Sequence, residues 1–276
     1  MCRHFVVSTS GYYKWKKLRT IKQKRNEEKI KILDEIKDIF KSSDGTYGSP
    51  RVYRVLLSNG RSISENTVAK YMREIYLDAR LKKKFRIQTT DSNHNGPIAD
   101  RVFKVEEALP TAPNEVLAGD ITYLRVGSQF YYLSIVMDLF NREIIGWSIS
   151  EDLTTTGVLT ALRTALNSSS SLSSKTIFHS DRGVQYASQS FRKMLSNNNV
   201  LPSMSRKGNC YDNAYVETWF KSFKSEYFYR NKVTTEAELR ALVFKYIETW
   251  YNNKRIHSSL DYMSPREYKL KQQLAA

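Results

Sequence analysis

Val116-Leu117-Ala118-Gly119-Asp120-Ile121-Thr122-Tyr123-Leu124-Arg125-Val126-Gly127-Ser128-Gln129-Phe130-Tyr131-Tyr132-Leu133-Ser134-Ile135-Val136-Met137-Asp138 reads as two strands around one turn. Residues 116–125 and 130–138 alternate or run apolar, and Gly127-Ser128 between them is hairpin chemistry. A turn at Asn141-Arg142 leads to a third strand, Glu143-Ile144-Ile145-Gly146-Trp147-Ser148-Ile149. Three strands at this short spacing predict an antiparallel meander. The period then changes. Residues 152–168 read as a helix that buries Val158, Leu159, Leu162 and Leu166. After a serine-rich loop come a strand at 176–179, a helix at 187–196, a short strand at 200–204 and a polar loop at 205–212. The next helix carries an apolar face of Val216, Trp219, Phe220, Phe223 and Tyr227. A last helix starts near Thr235, whose capping-box partner is Glu238, and buries Leu239, Leu242, Val243, Tyr246, Ile247 and Trp250.

Three acids stand out in this frame. Asp120 lies in the first apolar run, Asp181 follows the run Thr176-Ile177-Phe178-His179-Ser180, and Glu217 sits on the helix after residue 212. Two strand-end aspartates and a helical glutamate can converge on one pair of divalent metals, the apparatus for in-line displacement at a phosphodiester. Spacing alone is weak support. With 28 acids in 276 residues, about two or three acid pairs fall at the Asp181–Glu217 offset by chance. The local contexts make the signal. Asp138 reads as a strand-end turn residue and Asp212 as a helix cap.

The formal charge is +16, and residues 1–95 carry +12 of it, with 22 Lys+Arg against 10 Asp+Glu. That imbalance suits a partner that is a polyanion. Only Cys2 and Cys210 are present, with no CxxC and no histidines at finger spacing, which argues against a zinc site or a disulfide framework. No apolar run approaches 18 residues, so no membrane span is expected, and the start is too short for a signal peptide. The expected location is cytoplasmic, with the nucleoid.

The basic N-terminal part reads as helices. Residues 8–19 suggest a short helix capped by Ser8 or Ser10, and 27–42 a second, broken by Gly45 and Gly48-Ser49-Pro50. Pro50 opens a third helix that Asn59-Gly60 closes. Ser62 or Ser64 starts a fourth, with Val68, Tyr71, Met72 and Ile75 on one face and Lys70 and Arg73 off it. The pair fits a helix-turn-helix or an ordinary small helical bundle. Residues 1–86 are therefore expected to be a helical DNA-binding region, 87–115 a linker containing polar 89–97, and 116–276 a catalytic α/β domain. The basic run Lys82-Lys83-Lys84-Phe85-Arg86 is a solvated stretch or a phosphate track.

The order of strands and helices from 116 onward is similar to that of a ribonuclease H-like core, a mixed sheet flanked by helices. Motifs along nearly the whole chain resemble the OrfB-type transposases of bacterial insertion sequences, the family of insertion sequence three, which share the retroviral-integrase core. They are Gly119-Asp120-Ile121-Thr122-Tyr123, His179-Ser180-Asp181-Arg182-Gly183-Val184-Gln185-Tyr186, Ser205-Arg206-Lys207-Gly208-Asn209-Cys210-Tyr211-Asp212-Asn213-Ala214 and Tyr251-Asn252-Asn253-Lys254-Arg255-Ile256-His257-Ser258-Ser259-Leu260. Ser8-Thr9-Ser10-Gly11-Tyr12-Tyr13 and Tyr47-Gly48-Ser49-Pro50-Arg51 resemble it as well. One departure is Leu117, where the family usually has tryptophan; it removes no metal ligand.

The resemblance implies a DDE transposase in which Asp120, Asp181 and Glu217 hold two Mg²⁺ ions, with Mn²⁺ as a substitute. It implies cleavage at the element's end, joining, and insertion of a circular intermediate, without a covalent protein–DNA link. Expected partners are DNA at terminal inverted repeats and at the target. An upstream helix-turn-helix protein joined by frameshifting, and further copies of the chain on DNA, complete the expectation. Lys221 and Lys224, four and seven residues after Glu217, share its helical face and suit phosphates. Arg182, Arg206 and Lys207 flank the site. His179 fits orientation of Asp181, a bond to DNA or a structural hydrogen bond. The rival readings are a nuclease of the same fold and a non-catalytic DNA-binding regulator.

Overall fold

The computed structural model describes residues 8–79, 97–104, 109–168, 175–206 and 213–275. The chain divides into two compact units, residues 1–81 and 82–276. Lys207, Asp212 and the basic run 82–86 lie outside the described residues.

In the first unit, α1 (Thr9–Ser42) is one helix of 34 residues, not the two short helices expected. Residues 12–44 contain neither glycine nor proline, and straight-chain Lys, Arg, Glu and Gln dominate between the two expected segments, so nothing interrupts the backbone ladder. Ser8 caps it by accepting the Gly11 N–H. The helices α2 (Ser49–Ser58) and α3 (Glu65–Glu74) follow as read, with Pro50 in the first turn of α2 and Ser64 capping α3. Ile36, Val52, Leu56, Val68 and Met72 form the small core. Lys29 bonds Glu74 at 2.6 Å, and Arg61 reaches both Glu28 and Glu35. These pairs tie α1 to α3 and to the turn that precedes it.

The second unit is a five-stranded sheet in the order β3-β2-β1-β4-β5. Strands β1 (Val116–Val126), β2 (Gln129–Asp138) and β3 (Ile144–Ser150) form the expected meander. Strands β4 (Ile177–Ser180) and β5 (Leu201–Met204) add in parallel beyond β1. This is the ribonuclease H-like mixed sheet. Alternate residues of β1 enter two separate cores, as the strand period requires. Val116 and Ala118 pack toward α7 (Ala214–Glu226) and α8 (Glu236–Phe244), among Trp219, Phe223, Leu239 and Tyr246. Leu117, fully buried, packs the other way, toward α4 (Thr155–Ser168) and α6 (Gln189–Asn197), with Val158, Leu162, Phe178 and Phe191. Leu117 therefore fills its place in this core as a fully buried side chain. The expected helix at 187–196 is α6, which Ser188 caps; an unexpected helical turn, α5 (Val184–Ala187), precedes it.

The C-terminal part clamps the sheet. Thr235 and Glu238 form the expected capping box on α8. That helix passes into a π-helical stretch, Lys245–Tyr251, which buries Tyr246, Ile247 and Tyr251. Asn252 then bonds both backbone groups of Ile144, accepting its N–H at 3.0 Å and donating to its carbonyl at 2.9 Å. Arg240 donates to Ile149 O and Ser168 to Ile145 O, both on β3. The buried pair Arg255–Glu226 joins the segment after the π turn to the end of α7, with Nε to Oε2 at 2.7 Å and Nη2 to Oε1 at 2.5 Å. A buried pair of this kind is tolerable because its hydrogen bonds are satisfied, here also by Tyr246 and His257.

Gly146 marks the closest helix–sheet approach. A Cβ there would stand 2.2 Å from Ala161 O and 2.7 Å from Ala165 N, both backbone atoms of α4. Backbone cannot rotate away as a side chain can. Gly146→Ala should therefore lose about 1–3 kcal/mol of stability, the usual cost of forcing atoms into a packed core. Urea unfolding of the two proteins checks this, and an unchanged midpoint would contradict the packing described.

Candidate active site

Asp120 is the fifth residue of β1, not a strand-end residue as expected. What ends near it is the pairing with β4. That pairing covers only Val116–Ala118 with Ile177–His179, so the flank of β1 from Gly119 onward is open on the β4 side. Gly119 is needed at this point, since a Cβ would lie 2.5 Å from the Phe178 ring tip. Asp181 follows the last residue of β4, and its Oδ1 accepts the Gly183 N–H at 3.0 Å. The two aspartates line one cavity of about 280 Å³ with Ile121, Tyr123, Tyr132 and Leu153.

Glu217 arrives from the other side. It lies in the first turn of α7, whose start is set against β1 by a long Asn213 bond to Gly119 O at 3.5 Å. The Arg142 guanidinium stacks 3.4 Å from the Tyr215 ring and supports the same turn from below. Glu217 does not line the cavity; its Oε2 lies 3.7 Å from Lys221 Nζ. Among the described residues, no three His, Cys, Asp or Glu side chains stand close enough together to hold a metal ion.

The three acids nonetheless act on one another electrostatically. Burial holds the Asp120 carboxyl well above the ordinary aspartate range, and the negative charges of Asp181 and Glu217 push it further the same way. The Ile121 N–H, bonded to Oδ1 at 2.8 Å, and Lys224 act in the opposite direction without winning. A carboxylate held in this way is under-compensated, and an added cation would relieve it. Three carboxylates and no sulfur or imidazole among them suit a hard divalent ion. Lys224 is itself pressed by burial, its ammonium pushed down to about 8 although Asp120 favours the charge. Its Nζ stands 4.5 Å from the Tyr123 ring.

Family models match most of this chain: an integrase core domain over residues 110–210, a second integrase core model over 198–265, and an HTH-like domain over 25–85. "Transposase InsF for insertion sequence IS3A" of Escherichia coli strain K12 is 35% identical over 271 residues, covering 98% of this chain and 93% of that protein. The chain belongs to the IS3 transposase family. A 31 kDa protein of insertion element IS600 from Shigella sonnei, whose function is uncharacterised, is 36% identical over the full length of both. Among solved structures, the simian T-cell lymphotropic virus intasome bound to a PP2A regulatory subunit aligns with a TM-score of 0.50 at 14% identity. It covers 84% of this chain and 73% of that one, a likeness of fold.

The IS3-family helical unit displays Lys70 and Arg73 on the exposed face of α3. In the integrase core, Lys221 is exposed and Lys224 half-buried beside Asp120. Arg182 donates to Ser205 O at 2.8 Å, and Arg206 is exposed. His179 is fully buried and its Nδ1 meets Ser203 Oγ at 3.0 Å, which favours the structural role among those open to it. Asp138 bonds the Asn114 and Phe140 N–H groups, as a turn residue does, and burial pushes its carboxyl up to about 6. No helix among the described residues is long and apolar enough to cross a membrane.

The state of Lys224 has a measurable consequence. In the free chain it is half neutral near pH 8, and a lysine that grips a phosphate must carry its proton. If Lys224 makes such a grip, DNA binding above that pH takes up a proton, and wild-type affinity should fall by at most about tenfold per pH unit. Lys224→Arg stays charged and should flatten that limb. Fluorescence anisotropy on a terminal-repeat duplex from neutral to alkaline pH reads both slopes, and parallel slopes would remove Lys224 from the DNA contact.

Proposed function

We propose that this chain is the catalytic subunit of a DDE transposase that cleaves and joins DNA strands at the ends of an insertion sequence. The observation that carries the reading is the under-compensated Asp120, buried on an integrase-type sheet and repelled by Asp181 and Glu217. Asp120, Asp181 and Glu217 would hold the divalent ions. Two Mg²⁺, or Mn²⁺ in their place, would supply activation of the attacking oxygen and stabilisation of the leaving 3′-oxygen. The chain's own residues do the rest. The open flank of β1 leaves room for a strand of DNA beside Asp120. Lys221 and Lys224 bind the phosphates next to the scissile bond, and Lys224 offsets part of the acid charge that would otherwise repel the backbone. Arg182, Arg206 and Lys207 are proposed as flanking contacts. The helical unit, whose residues 1–81 carry 18 Lys+Arg against 9 Asp+Glu, supplies affinity. Terminal repeats and target DNA are the substrates, and a frameshift fusion with the upstream helix-turn-helix protein and several copies on DNA form the working assembly in the cytoplasm.

Asp181→Asn should abolish Mg²⁺-dependent cleavage and strand transfer while gel-shift affinity for a terminal-repeat duplex stays near wild type. The change removes a negative ligand but keeps the side chain's shape. Strand transfer at the wild-type rate by this variant, in the fusion if the single chain is inert, would sink the mechanism. A pre-cut end separates transposase from nuclease, because only a transposase joins it.

Salt titration separates binding from chemistry. Each phosphate contact adds about 0.9 to the slope of log K against log salt. Replacing Lys70 and Arg73 should flatten that slope, whereas replacing Lys221 and Lys224 should damage joining more than affinity. If the second pair carried most of the slope and the first none, α1–α3 would be structural and the core would bind DNA unaided.

A further inference from the structure

Tyr186 lines the same cavity as Asp120 and Asp181, and the reaction scheme above gives it no part. It stands on α5, three residues past the cap Gly183, and is 2% exposed. Its ring is fixed by Phe191, edge-on with centroids 5.3 Å apart, and by Phe178 at 6.2 Å. Phe178 is in turn seated over Gly119, beside Asp120. The ring position is thus set by the packing that shapes the carboxylate site.

The Tyr186 hydroxyl is buried and has no hydrogen-bond partner among the described residues. Buried tyrosine hydroxyls usually find one. A phenylalanine would fill the same place among Phe178, Phe191 and Leu195 without leaving a polar atom unsatisfied. After burial, Asp120 and then Asp181 are what holds the phenol proton in place, so both carboxylates lie within its electrostatic reach. On the acceptor side, Asp120 Oδ1 takes the Ile121 N–H, and no described residue donates to Oδ2. A donor without an acceptor and an acceptor without a donor share one small cavity.

We propose that Tyr186 is a positioning residue for Asp120: in the metal-loaded site its hydroxyl donates to the Asp120 oxygen that the ion leaves over, and fixes the rotamer of that ligand. This rests on the carboxylate reading given above. The side chain touches neither DNA nor the reacting atoms. Its contribution is to metal affinity, as expected of a group that orients a ligating carboxylate.

The test is Mn²⁺ binding to the full chain without DNA, read by electron paramagnetic resonance of the free ion, together with thermal melting in the absence of metal. Four proteins are compared: wild type, Tyr186→Phe, Phe191→Leu and Asp181→Asn. Tyr186→Phe should melt no lower than wild type without metal, since it removes an unsatisfied hydroxyl, yet bind Mn²⁺ about tenfold more weakly. Phe191→Leu loosens the ring cluster but keeps the hydroxyl, and should bind Mn²⁺ near the wild-type level. If Tyr186→Phe matches wild type while Asp181→Asn loses the ion, the inference is overturned and the metal site stands. Equal weakening by Phe191→Leu would also overturn it, making the effect one of packing. If wild type binds no more Mn²⁺ than Asp181→Asn, both the metal reading and this inference fall.

Discussion

The site depends on how briefly β4 pairs with β1. Parallel neighbours need a long crossover between them, and here β2, β3 and α4 supply it, so residues far apart in sequence meet at one strand flank. Had β4 continued alongside β1, the backbone groups beyond Ala118 would be occupied and Asp120 enclosed in the sheet. Instead the pairing stops at His179, the chain turns away through Asp181, and a cavity opens where the two carboxylates lie. The stop is local chemistry: Asp181 accepts the Gly183 N–H and Gly183 caps α5, so the backbone leaves strand geometry at once.

The third acid is held by a different device. Glu217 rides on α7, and the position of α7 is set at both ends. At the start, Asn213 touches β1 and Arg142 lies under Tyr215. At the far end, Glu226 is locked to Arg255 inside the protein. Between them Trp219 and Phe223, stacked 5.4 Å apart, fill the core beneath the helix. The motif around Arg255 therefore bears on where Glu217 stands, because tilting α7 would move Glu217 relative to β1. The glutamate side chain itself is partly exposed in the first turn, with Lys221 as its ion-pair partner one turn on.

Much of this was legible in the sequence for plain reasons. The meander carries a period of two and glycine-containing turns, and the stripe Val216, Trp219, Phe220 and Phe223 carries a period of 3.6. Both signals are local, and each acid could be placed on its element from them. What escaped reading was non-local. Nothing in the Val116–Leu124 run says that β4 will leave β1 after three residues, so Asp120 read as a strand end. The continuity of α1 turned on the absence of a breaker between two apolar stretches, a weaker signal than its presence. Gly146 is silent until α4 is seen lying against it, and Tyr186 gives no hint that its hydroxyl will be stranded. The partner of Arg255, 29 residues earlier in the chain, follows no helical or strand spacing.

The outer border of β3 gains a different significance from its neighbours. It is the last strand on its side of the sheet, the place where unpaired backbone groups invite another chain to add a strand. Here Asn252 satisfies both groups of Ile144, Ser168 takes the carbonyl of Ile145, and Arg240 that of Ile149. Part of the templating surface is consumed from within, by side chains of three separate segments. Where copies of this chain meet, the occupied groups at this border leave less unpaired backbone for one sheet to extend into another.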